Sequence, residues 1–164
     1  MQTSIEGFQL SPQQFRLCSV RQGQDCYRAY CTIALDGVVE STILKQAVHS
    51  VVAQHAIFRT TFHRLPGMKI PVQVINETGA IAWQYHDLRT YTTQEQAGQI
   101  EEITRQMKNL PIDLEHGPFL CCTLITVSTY KHLLFTWMHA LHGDNGTLQL
   151  FMQAVADAYN SPVT

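Results

Sequence analysis

Apolar residues alternate from Tyr27 to Leu35, with Tyr27, Ala29, Cys31, Ile33 and Leu35 on one side. This is the period of a half-buried strand, and Asp36-Gly37 supplies the turn after it. From Ser41 to His55 the period changes. Ile43, Leu44, Ala47, Val48, Val51 and Val52 fall three and four apart, which predicts a helix with one apolar stripe. Ahead of both, Ser11-Pro12 has the form of a helix start, a hydroxyl cap with proline at the first helical position, and predicts a short helix through Leu17.

Strands are expected over Ile57–Leu65 and Lys69–Ile75, joined across Pro66-Gly67, with a short third strand over Ile81–Tyr85. Thr92 with Glu95 forms a capping box that opens a helix to about Asn109. Two apolar runs, Phe119–Val127 and His132–Met138, read as adjacent buried strands on either side of Ser128-Thr129-Tyr130-Lys131. A last helix from Thr147 to Tyr159 places Leu148, Phe151, Val155 and Ala158 along one side. The sum is a mixed α/β fold, helices covering a mostly antiparallel sheet, in a single domain spanning residues 1–164.

Composition narrows the function classes. With 45% apolar and only 15% charged residues, the chain suits a surface partly covered by another lobe or partner. A formal net charge of -2 without a Lys/Arg run gives no footprint for nucleic acid or an anionic membrane. Met1 to Leu10 lacks the pattern of a secretory signal and no apolar run is long enough to span a bilayer, so a cytoplasmic setting is expected. Five cysteines without C-x-x-C spacing argue against a disulfide framework or a zinc ribbon, and predict core filler.

No nucleophile elbow, phosphate loop, dinucleotide fingerprint or H-E-x-x-H motif is present. The densest polar cluster is His139-Ala140-Leu141-His142-Gly143-Asp144-Asn145-Gly146-Thr147, where a strand feeds a glycine-containing loop and then a helix. Three readings compete there. Metal binding by His139, His142 and Asp144 lacks a further ligand and a fixed face. A structural role would have backbone groups satisfy the histidines and Asp144 cap the helix or pair with an arginine. General-base catalysis would have an imidazole take a nucleophile's proton near neutral pH.

This segment resembles the H-H-x-x-x-D-G motif of condensation domains of nonribosomal peptide synthetases and their chloramphenicol-acetyltransferase-like relatives. Asp144 to Tyr159 follows the motif's continuation without a gap, Thr147 standing at its small hydroxyl position. Upstream, Leu10-Ser11-Pro12-Gln13-Gln14 with Leu17 is similar to the family's opening block, and Leu35-Asp36-Gly37 to its L-x-G turn. His55-Ala56-Ile57-Phe58-Arg59-Thr60-Thr61-Phe62 resembles R-H-E-x-L-R-T-x-F, and Asp87-Leu88, Pro111–Leu114 and Gly117–Leu120 match further blocks in order. The resemblance implies amide formation between an acyl group and an amine, both held as thioesters on the phosphopantetheine arms of carrier proteins, with no cofactor or metal bound directly. It implies a base at the motif's second histidine and a structural aspartate, Asp144, for which Arg59 is the expected partner.

The motif is altered in a way that aligns twofold. Counting back from Asp144 makes His139 the first histidine and puts Ala140 at the base position, which would cost ~10²–10⁴-fold in rate. Counting forward from the strand makes Met138-His139 the pair, with His139 the candidate base and one extra residue before Asp144. The strand pattern and the tripeptide His139-Ala140-Leu141 favour the second register. In both, Asn145 replaces the motif glycine, Gly146 being placed to supply backbone freedom, and His142 is a weaker site candidate. The family's domains are more than twice this length, with two similar lobes around a tunnel. The chain therefore reads as an amino-terminal lobe whose catalysis needs the missing carboxy-terminal lobe. The competing expectations are a non-catalytic scaffold or carrier-docking remnant, and an oligomeric acyltransferase.

Overall fold

The computed structural model describes residues 7–20 and 28–161. In chain order the elements are α1 (Pro12–Val20), β1 (Arg28–Asp36), α2 (Ser41–Gln54), β2 (Thr60–His63), β3 (Val72–Ile75), β4 (Ile81–Asp87), α3 (Thr93–Lys108), β5 (Leu120–Ser128), β6 (Lys131–His139) and α4 (Asn145–Asn160). Tyr27, the expected first residue of β1, and Cys26 lie outside the described residues.

Four strands form one sheet in the order β1-β6-β5-β4, antiparallel except for the parallel β4–β5 pair. The sheet is covered on both faces, which is why β5 and β6 read as continuous apolar runs rather than alternating ones. On one face Leu120, Cys122, Leu124, Leu134 and Met138 pack against α2 and α4. On the other, Cys121, Ile125, Phe135 and Trp137 pack with Ile103 and Met107 of α3. Cys121 and Cys122 are core residues, and burial pushes both thiols up to about 12.

The capping boxes form as their residue types dictate. Thr92 and Glu95 exchange hydrogen bonds at the start of α3, and the Ser11 hydroxyl and Gln14 do so at α1. Gly37 takes the turn after β1 at φ +114, a conformation that favours glycine. The expected strand from Ile57 begins later. Ala56–Arg59 is a 3-10 turn that drops Phe58 into the core beneath α4, and only Thr60–His63 pairs, with β3.

At the foot of β1, Arg28 ties the second face to the end of α3. Its guanidinium sits 4.5 Å from the Trp137 ring centre and donates to the Lys108 and Leu110 carbonyls where α3 ends. A cation at a helix C-terminus meets the negative end of its dipole.

Candidate functional site

The motif segment leaves β6, an interior strand with neighbours on both sides, and re-enters helix at α4. Alternation along β6 puts His139 on the face of Phe135 and Trp137, directly across from Arg28 of β1. His139 is consequently 2% exposed. Its backbone N–H donates to the Phe119 carbonyl at 2.9 Å, and its Nδ1 accepts the Leu141 N–H at 3.1 Å. A ring nitrogen that accepts cannot carry the proton, so the neutral imidazole is protonated at Nε2. That Nε2 is buried without a hydrogen-bond partner. Burial first, then His142 and Arg28, push this imidazole down to about 3.

His142 is fixed in the same tautomer by a different group. Its Nε2–H donates to the Thr60 carbonyl at 2.8 Å, leaving Nδ1 as a buried acceptor without a partner. The ring stacks on Phe119 at 4.4 Å, meets Phe62 edge-on at 5.1 Å and lies 6.0 Å from the His139 ring. Burial pushes it down to about 4, against the opposing effect of the Thr60 carbonyl. Burial keeps both histidines neutral at pH 7, the ordinary effect of desolvation on a cation.

Beside them opens a cleft of about 190 Å³ between α1 and the motif loop. Ser11, Gln14 and Leu17 line one wall; Ala140, Leu141, His142, Gly143, Asp144 and Thr147 line the other. His139, the expected base, is absent from that lining; the half-buried Ala140 is on it. Gln14 spans the walls, donating to the Leu141 carbonyl at 2.9 Å and to Gln73 Oε1 at 3.2 Å. In the sequence Gln14 stands out only as part of the block of residues 10–14, with nothing to place it at the site, and Thr60 acts through a carbonyl that every residue type possesses.

Two expectations are corrected. Arg59 does not pair with Asp144: its guanidinium donates to the Asn76 carbonyl in a separate cleft shared with Glu115, His116 and Phe119. Asp144 instead caps α4. Its Oδ1 accepts from the Thr147 N–H at 2.9 Å and hydroxyl at 3.1 Å, which holds its carboxyl below the usual range. Gly146 supplies no special backbone freedom either. It and Asn145 form an ordinary, exposed first turn of α4, and neither has positive φ. Within the motif loop the glycine that sterics demand is Gly143, where an added Cβ would lie 2.6 Å from Thr147 Cβ. Among the described residues no group of three His, Cys, Asp or Glu side chains converges as a metal site, and no helix is long and apolar enough to cross a membrane.

The chain is similar to several peptide synthetases. It is 28% identical over 145 residues to chondramide synthase of Chondromyces crocatus, covering 88% of this chain and 4% of that protein. It is 28% identical over 153 residues to bacitracin synthase 2 of Bacillus licheniformis, with 92% and 6% covered. The starter condensation domain of rhizomide synthetase superposes with a TM-score of 0.81 at 23% identity, matching 94% of this chain and 37% of that one. A structure of the X-domain and OxyB complex from teicoplanin biosynthesis gives 0.72 at 21%, with 97% and 34% covered. The chain thus spans little more than a third of the structures it matches and a few per cent of the synthases. The Condensation domain model matches residues 6–163, nearly the whole length, and the chain belongs to the condensation domain family.

Proposed function

We propose that this chain is the amino-terminal lobe of a condensation domain, supplying one wall of a cleft in which a second lobe would complete amide formation. The substrates would be an acyl thioester and an amine, each on the phosphopantetheine arm of a carrier protein, and the setting cytoplasmic. The amine's attack on the thioester carbonyl forms the C–N bond, and collapse of the tetrahedral adduct breaks the C–S bond, the amine's proton passing to the departing thiolate. Placement of both arms is a large part of such catalysis, and it needs walls on both sides.

The single observation that carries this reading is that Ala140, and not His139, stands on the cleft wall, while His142, the imidazole that does line it, is buried and pushed down to about 4. It supports the gapless register, with His139 as the motif's first, structural histidine and Ala140 at the base position. The isolated chain is then no catalyst. Even with a second lobe it is a slow one, short by the ~10²–10⁴-fold that a general base contributes.

The test is to combine the chain with a separately produced carboxy-terminal lobe of a related condensation domain and loaded donor and acceptor carriers. Slow amide formation that requires the added lobe and rises with Ala140→His supports the reading. No association with lobe or carriers would sink it. The same observation favours a second reading, a carrier-docking scaffold without catalysis. Carrier binding with no turnover even in Ala140→His, and indifferent to His139→Ala, selects that one.

A further inference from the structure

The two buried histidines have tautomers set by opposite kinds of partner. His139 accepts at Nδ1 from the Leu141 N–H, and His142 donates from Nε2 to the Thr60 carbonyl. The loop between them is otherwise closed by the His142 N–H to His139 carbonyl bond at 2.9 Å. The Thr60 bond seats residues 139–142 against β2, and the His139 N–H bond to the Phe119 carbonyl seats them beside the start of β5.

We propose that His139 and His142 make the motif loop an acid-released latch, opening it away from β2 and β5 while the four-stranded sheet stays folded. A proton added to His139 must go to Nδ1, where it would face the Leu141 N–H donor to donor. A proton added to His142 must go to Nδ1, which has no acceptor and lies in the aromatic pocket of Phe119 and Phe62. The first event breaks the Leu141 bond; the second keeps the Thr60 bond but leaves a buried charge, and opening returns the charged rings to water.

Among the described residues no carboxylate is bonded to either ring. The charged group on the adjoining strand β1 is Arg28, itself a cation acting on His139. In β2, His63 is engaged with the Thr61 hydroxyl. Phe119 precedes β5, and α1 presents the neutral Gln14. At α4, the Asp144 carboxylate is exposed and bound to Thr147. Burial has already driven both rings far below the usual histidine range, to about 3 and about 4. The sign follows: lowered values mean that the open form binds more protons, so closure weakens as pH falls below about 6.5. Each pH unit multiplies the open population by up to ~10 for one ring and ~100 for both, until the folded values are reached. The latch concerns the chain's own loop, so it holds whether or not a second lobe docks.

Amide hydrogen exchange from pH 7 to pH 4.5, expressed as protection factors, tests it. The Leu141 and His142 amides are expected to lose ~10- to ~100-fold protection per unit between pH 6 and pH 5, while Leu124 in β5 keeps its own. In the double variant His139→Asn/His142→Gln, Asn Oδ1 replaces the acceptor and Gln Nε2 the donor without a titrating ring, so protection stays flat. A pH-independent wild-type loop, loss in step with Leu124, or the same loss in a folded double variant overturns the latch. A second measurement does not depend on that variant folding. Nitrogen NMR of the wild type is expected to find both rings neutral and protonated at Nε2 at pH 5.5; titration of both near 6.5 in the closed chain overturns the proposal.

Discussion

Removing the Gln14 amide is the perturbation that most sharply separates the cleft from the core. α1 buries none of its described side chains; Gln14, Leu17 and Cys18 are half-buried and the others exposed. Little apolar area therefore holds it, and its polar ties matter more than they would for α2 or α4. In Gln14→Ala the helix loses the bond to the Leu141 carbonyl, the bond to Gln73 and the reciprocal Ser11 cap. Both tertiary bonds are part-buried, so at about 0.5–1 kcal/mol net for each, local attachment weakens by about 1–2 kcal/mol. A change of 1–2 kcal/mol is a factor of about 5–30 in the detached population. Detachment does not need the sheet to unfold, so the global urea midpoint should move far less. The assay is hydrogen exchange of the Phe15 amide, bonded to the Ser11 carbonyl inside α1, beside that of Leu124. Phe15 should exchange about 5–30-fold faster with Leu124 unchanged. An unaltered Phe15 rate, or an equal change at both amides, would refute the view of α1 as a polar-tethered wall.

Other consequences follow from the same geometry. Gly143→Ala sets a methyl against Thr147 and disturbs the α4 cap; urea unfolding should record a loss of about 1–3 kcal/mol, typical of forced overpacking. Asp144→Ala should lower the urea midpoint, Asp144→Ser should retain most of it, and Arg59→Lys should leave the α4 cap unchanged, since Arg59 is bonded elsewhere. Arg28→Leu removes a cation from beside His139 and the cap of α3, so the protein should be less stable while the His139 titration, followed by NMR, moves upward. Cys121 and Cys122, with thiols pushed up to about 12, should resist a thiol reagent at pH 8 until the chain is unfolded.

The elements with strong periodicity were legible in the sequence because one physical force shaped them. The stripe of α2 reflects burial on one face of the sheet, the paired runs of β5 and β6 reflect burial on both, and the Thr92–Glu95 box reflects two complementary hydrogen-bonding side chains. The 3-10 turn at Ala56–Arg59 was not legible, since Ile57 and Phe58 suit a strand locally and only the core beneath α4 draws Phe58 inward. The site was half legible. Its loop was located from His139 to Thr147, and the structural reading's aspartate cap is realised at Asp144. The Arg59 pairing failed because pairing distance depends on tertiary placement that no spacing encodes. Which residue reaches the cleft depended on the parity of β6 relative to α3, and the partners that fix both tautomers are a backbone N–H and a backbone carbonyl, carried alike by almost any residue.

Whether the folded cleft offers a reactive imidazole is decided most directly by acylating histidines with diethyl pyrocarbonate at pH 7 and locating the products by mass spectrometry. The exposed His49, His55 and His116 should react, His139 and His142 should be spared, and Ala140→His should add one readily modified ring. Modification of His139 in the native chain at the rate of His49, or a new ring in Ala140→His that resists the reagent, would contradict the account.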